Sequence, residues 1–286
     1  MSAYREEDVG NIISLEHVNV QVPDQSSAIL FYVVGLGFTR DPYLTVGLNN
    51  MWINVGEHQF HLPTRSAQVI DGHIGVVVPN REALKERLES VAGALKGSQF
   101  SFDSRTDPIA VTCPWGNRFR CYTSRPEFGD MTLGLPYVEF FVEHGTLEPI
   151  LGFYETAFRA PVNVESDGGG HIGRVKIGRA QSLLFRETEK PVAPYGGHHV
   201  AIYVANFSGP YEYLKSRGLI SEDVRNHQFR FQSIVDPRSG NPVYALEHEV
   251  RSLRHPMYHR SFVNRDPTQT QRAYRRGWDA LVPFER

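Results

Sequence analysis

An α+β fold built from four βαβββ modules is predicted by three features. A strand pattern returns four times, a helix or linker follows each return, and the returns are almost evenly spaced. The repeats are LEHVNVQV (15–22), DGHIGVVVP (71–79), PYVEFFVE (136–143) and GHHVAIYVA (197–205), all β-branched and aromatic runs of strand type. Their lead polar position holds His17, His73, Glu139 and His199. His17 to His73 is 56 positions and Glu139 to His199 is 60; the turn glycines Gly116 and Gly240 follow His73 by 43 and His199 by 41. The chain thus reads as two homologous halves of two modules each. The expected division is an N-terminal segment (1–12), a first domain (13–125), a linker (126–134), a second domain (135–250) and a basic tail (251–286).

The elements follow in order. After LEHVNVQV, the segment SSAILFYVVGLGF reads as a helix ended by the glycines at 35 and 37, and MWINVG and QFHLP read as strands around a GEH turn. The cycle restarts at Gly72 with a strand, the charged amphipathic helix NREALKERLESVAG, and a hairpin turning at PWGN. The second half replays this order. TLEPILGFYETAF is a helix, GRVKIG and SLLFRE are strands, and GPYEYLKSRGL is the next helix. RFQSIVDPRSGNPVYALEHE is the last hairpin.

Composition narrows the function classes. A formal charge of −2 over 286 residues gives no general argument for nucleic acid or an anionic membrane as partner. Cys113 and Cys121 are the only cysteines, which suits a reducing compartment rather than a disulfide scaffold. The opening MSAYREEDVGNII lacks the apolar core of a secretory signal, and no apolar run approaches about 18 residues. The expectation is a cytoplasmic protein with a small-molecule partner, compatible with a homo-oligomer.

HVNVQV, FYVVGLGF, QFHLP, GHIGVVV and PWGNRF in the first half, with FYETAF, GHHVAIYV and DPRSGN in the second, resemble the vicinal oxygen chelate superfamily. That superfamily includes glyoxalase I, the fosfomycin and bleomycin resistance proteins and the extradiol dioxygenases. The resemblance covers about residues 14–250. It implies two tandem units, each an incompletely closed, barrel-like sheet of eight strands around a cleft that holds a divalent ion. Two units in one chain look most like the extradiol dioxygenase layout.

Carried over residue by residue, the first unit offers His17, His61 and His73 as metal ligands, and the second offers Glu139, His199 and Glu247. Both sets suit Fe(II), which is favoured, as well as zinc, manganese or nickel. The fourth position, counted from the hairpin glycines, falls on Arg120 and Tyr244, neither a carboxylate. A guanidinium cannot ligate, though it can pair with an anionic substrate group. Glu247 reaches the cleft only if a bulge shifts the last hairpin. Tyr203, Tyr244 and His248 are candidate acid–base groups around a substrate, with aromatic core as their alternative. An inward Glu139 needs a partner, either a metal or an arginine such as Arg174 or Arg186. His198 and Cys121 read as structural.

Residues 251–286 hold eight arginines against Asp266, Asp279 and Glu285, and packing across the sheet is their expected role. Two function classes stay open. One is a metal-dependent enzyme on a small oxygenated, catechol-type substrate, by extradiol dioxygenase-like or glyoxalase-like chemistry. The other is a metal-free protein that sequesters a small molecule. The missing glutamates discriminate between them.

Overall fold

A computed structural model describes residues 8–41 and 49–260. The first module contains β1 (Ile12–Asn19), α1 (Gln25–Ala28, continued as a π-helix over Ile29–Gly35), β2 (Thr39–Arg40), β3 (Asn50–Val55) and β4 (His58–Pro63). The second contains β5 (Gly72–Val77), α2 (Arg81–Ala92), β6 (Ser101–Asp103), β7 (Ile109–Thr112) and β8 (Arg118–Tyr122). The third runs from β9 (Tyr137–Glu143) through α3 (Leu147–Phe158), β10 (Val162–Asp167), β11 (Gly170–Lys176) and β12 (Ser182–Thr188). The fourth is β13 (His199–Val204), α4 (Ser208–Lys215), β14 (Ile220–Arg225), β15 (Gln228–Val235) and β16 (Pro242–Ser252). Local chemistry sets the helix starts: Asp24 and Asn80 accept from the backbone N–H of Ser27 and Ala83.

The expected two sheets of eight strands are present and neither closes into a barrel, but their membership differs from the expected domains. One sheet runs β14-β15-β16-β13-β1-β4-β3-β2 and the other β10-β11-β12-β9-β5-β8-β7-β6. The first module therefore pairs with the fourth and the second with the third, so the strand ladders do not respect the 13–125 and 135–250 boundaries. Segment 126–134 joins two modules of the same sheet. The chain changes sheet at 64–71 and again at 189–198.

Helices bind the two sheets together. Gly35 of the π-helix lies against Val91 and Leu88 of α2, and α3 packs on α4, so each helix contact joins modules from different sheets. Between them lies one continuous core, in which Phe60 of one sheet meets Phe119 of the other at 5.9 Å. Strand side chains alternate with period two, so His61, Arg120, Glu139 and Glu249, next to the core residues Phe60, Phe119, Phe140 and Val250, face the opposite side of their sheet from the core. No helix among the described residues is long and apolar enough to cross a membrane. The expected helix at TQTQRAYRRGWDAL lies outside the described residues.

Candidate metal centre and its degenerate twin

The four lead residues meet in two pairs, because β1 pairs with β13 and β5 with β9. In each module the last strand runs parallel beside the first, and the residue two beyond the lead faces a fixed partner. Asn19 faces His61, Gly75 faces Arg120, Phe141 faces Arg186 and Ala201 faces Glu249. Internal symmetry thus defines two quartets: His17, His61, His199 and Glu249 in one sheet, and His73, Arg120, Glu139 and Arg186 in the other.

In the first quartet one ring nitrogen from each of His17, His61 and His199 lies within 4.8 Å of the others. His17 Nε2 and His199 Nε2 are 3.3 Å apart. Two nitrogens held tetrahedrally by one ion at 2.0–2.1 Å would be about 3.3–3.4 Å apart. Around the opposite nitrogens, Glu16 hydrogen-bonds His17 Nδ1, the Asn19 amide Nδ2 lies 2.6 Å from His61 Nδ1, and Glu247 Oε1 lies 3.5 Å from His199 Nδ1. His61 Nε2 is buried with no hydrogen-bond partner. Carboxylates beside Nδ1, as at His17 and His199, are the usual support of imidazole ligands. His61 ligates through Nε2 once the Asn19 amide is turned so that its oxygen accepts from Nδ1–H. Trp52 stacks on His61 at 4.0 Å and meets His17 edge-on at 4.8 Å, fixing both rings.

The electrostatics suit a cation. Burial pushes His61 and His199 well below the usual imidazole range, so both are neutral near pH 7, as ligation requires. Burial alone would raise Glu249 and Glu16, but Arg251 and His17 beside both, with Arg230 beside Glu249, outweigh it. Glu249 is held well below the carboxylate range and Glu16 at about 2. Glu249 pairs with Arg230 and Arg251, and Arg251 Nη1 reaches Glu16 Oε2 at 2.6 Å. Three carboxylates (Glu16, Glu247, Glu249) and two guanidinium groups (Arg230, Arg251) thus surround the three imidazoles. These residues fit a metal.

Several expected site residues are placed elsewhere. His73 does not join His17 and His61, because module pairing puts it in the other sheet, with Nδ1 2.7 Å from Glu139 Oε1. Glu139 likewise does not join His199; Arg186 Nε donates to it at 3.1 Å, the arginine pairing weighed from the sequence. Glu247 shares His199's face but supports Nδ1 and pairs with Arg230, while Glu249 Oε2 lies 3.7 Å from Nε2. Counting from Gly240 misses Glu249 because the last strand is 11 residues long, against 5 for the strand that carries Arg120. Its signal was the alternation Glu247, Glu249, Arg251 along one strand face.

His248 lies on the opposite face from Glu247 and Glu249. It stacks on Phe231 and bonds the Tyr154 hydroxyl at 2.8 Å, so it is a core residue. Tyr244 is also displaced, packing against Phe140 and Phe185. Tyr203 is the one acid–base candidate beside the centre. It lines a pocket of about 370 Å³ with Glu16, Gln59 and Met257. His198 stacks on Phe140 and burial pushes the Cys121 thiol up to about 12, which fits structural roles. Of the basic tail, Arg251 is buried in the centre and Arg260 pairs with Asp41; residues 261–286 lie outside the described residues.

No family model matches the sequence, and no curated relative does. Solved structures do. Glyoxalase I from Zea mays is similar at 16% identity with a TM-score of 0.59, over 83% of this chain and 92% of that one. A Bacillus subtilis protein provisionally assigned as a dioxygenase is similar at 13% identity with a TM-score of 0.58, over 93% of this chain and 91% of that one.

Proposed function

Because this chain has the paired-module fold of the vicinal oxygen chelate superfamily, we propose that it is a metal-dependent enzyme acting on a small oxygenated molecule. Its centre is His17, His61 and His199, with Glu249 at the fourth position. The observation that carries the reading is the convergence of three ring nitrogens, with His61 Nε2 buried and without a hydrogen-bond partner and carboxylates beside Nδ1 of His17 and His199.

A divalent ion bound there would act as a Lewis acid toward two neighbouring substrate oxygens, and iron would extend this to chemistry with O₂. Fe(II) remains the favoured ion, with zinc, manganese and nickel suited to the same imidazoles. The chain's own residues divide the remaining work. Glu16, Asn19 and Glu247 orient the rings, and Trp52 keeps water from the His61 face. Arg230 and Arg251 hold Glu249 ionised at the fourth position. Tyr203, kept protonated because burial pushes its phenol up, offers a hydroxyl donor in the adjoining pocket. The metal-free sequestration reading rested on missing carboxylates. In this sheet Glu249 supplies one, so that reading keeps support only in the other cleft.

Anaerobic reconstitution with Fe(II), Zn(II), Mn(II) or Ni(II) tests the proposal. About one equivalent of one ion should bind per chain, because one quartet is intact. Iron loading followed by O₂ uptake on catechols would select the dioxygenase-like branch. Zinc or nickel loading with isomerisation of a glyoxalase-type hemithioacetal would select the other. Failure to retain any of the four ions would contradict the proposal.

A further inference from the structure

The second quartet has lost its ligands in a particular way: Arg120 and Arg186 stand where the first has His61 and Glu249. Two fixed cations cannot hold a metal. They change the sign of what the cleft attracts. Its opening, of about 910 Å³, is lined by six cationic side chains, Arg120, Arg125, Arg174, Lys176, Arg179 and Arg186, and by three carboxylates, Glu127, Glu139 and Glu165.

Most of these arginines are committed. Arg186 is shared between Asp167 and Glu139, Arg174 forks onto Glu165, and Arg125 bonds Asp107. Arg120 is the least committed: it approaches Glu139 at 3.9 Å and acts on Asp167 through its charge, and its side chain is 35% exposed. Beneath it Phe128, Tyr137, Ile172 and Leu184 form a small apolar cluster separate from the main core, and all four line the same cleft. The Tyr122 and Tyr137 hydroxyls lie 2.8 Å apart at its edge. A cationic fork above an apolar, partly phenolic floor is complementary to an amphiphilic anion.

We propose that this second cleft is a binding site for a small organic anion, its oxyanion head taken by Arg120 and its apolar body lying on Tyr137, Phe128 and Leu184. A planar guanidinium matches carboxylate and phosphate alike. The site does not depend on the metal centre, so failure of either proposal leaves the other standing.

The test is calorimetric titration of the full chain with phenyl phosphate and with 3-phenylpropionate, using phenol as the neutral counterpart. One or both anions should bind at one site per chain, the tighter one identifying the head group, and phenol should bind at least about tenfold more weakly. Arg120→Gln should weaken the anion by at least about tenfold, and Arg120→Lys should recover only part of that loss. Stripping metal with a chelator should leave the affinity unchanged. The proposal is overturned if neither anion binds, if Arg120→Gln binds as well as the parent, or if binding disappears with the metal.

Discussion

His58 shows how one side chain ties remote parts of this fold together. It sits at the start of β4, and its Nδ1 accepts the backbone N–H of Leu135 at 2.9 Å, pinning the end of segment 126–134 to the first module. Burial pushes its pKa down from 6.5 to about 4, opposed only by the charge of Glu16. A depressed histidine contributes stability that is fully present above the unfolded value. That contribution is lost as pH falls from 6.5 toward 4, because the unfolded chain takes up the proton first. Its share is up to roughly 3 kcal/mol. His58→Gln keeps an acceptor but does not titrate, so urea midpoints measured across pH 7 to 4 should fall less steeply in the variant. An unchanged acid slope would contradict this role. At the same scale, residue type and strand position single out His17, His61 and His199 as candidate ligands, but not that the three come together. His248 was misassigned because the strand's facing parity, one residue either way, is set by the ladder and not by composition.

At the scale of elements, the strands and helices were largely legible, because each module repeats a period-two run followed by a 3.6-period run. Which lead strand pairs with which was not: four near-identical edges permit several pairings, and packing chooses among them. Gly72 marks the choice. A Cβ there would lie 1.8 Å from the carbonyl oxygen of Glu139, so β5 and β9 approach this closely only with glycine at that position. Gly93, by contrast, has helical angles and open space around it. Gly72→Ala should lower the thermal midpoint by the equivalent of about 1–3 kcal/mol, as overpacking does. Gly93→Ala should leave it unchanged or raise it by about 0.4–1 kcal/mol. Equal tolerance at both positions would contradict the β5–β9 junction. The last hairpin shows the other limit of the sequence. Its last strand runs 11 residues against 5 in the β7–β8 hairpin, so the position equivalent to Arg120 falls on Glu249 and not on Tyr244.

For the whole molecule, the pairing of first with fourth and second with third modules has a chemical consequence. It gathers three imidazoles and a carboxylate in one sheet, and leaves the other with His73, Glu139 and two arginines. The two quartets occupy equivalent positions and, as proposed, have opposite preferences, one for a cation and one for an anion. The sequence contained all eight residues but not the partition, which depends on contacts between positions as distant as His17 and His199. The most direct test of the partition is the metal content of two variants, His61→Ala and His73→Ala, after identical anaerobic reconstitution, with folding matched by near-ultraviolet circular dichroism. His61→Ala should lose the bound metal and His73→Ala should retain it in full. Loss of metal in His73→Ala, with retention in His61→Ala, would contradict the partition.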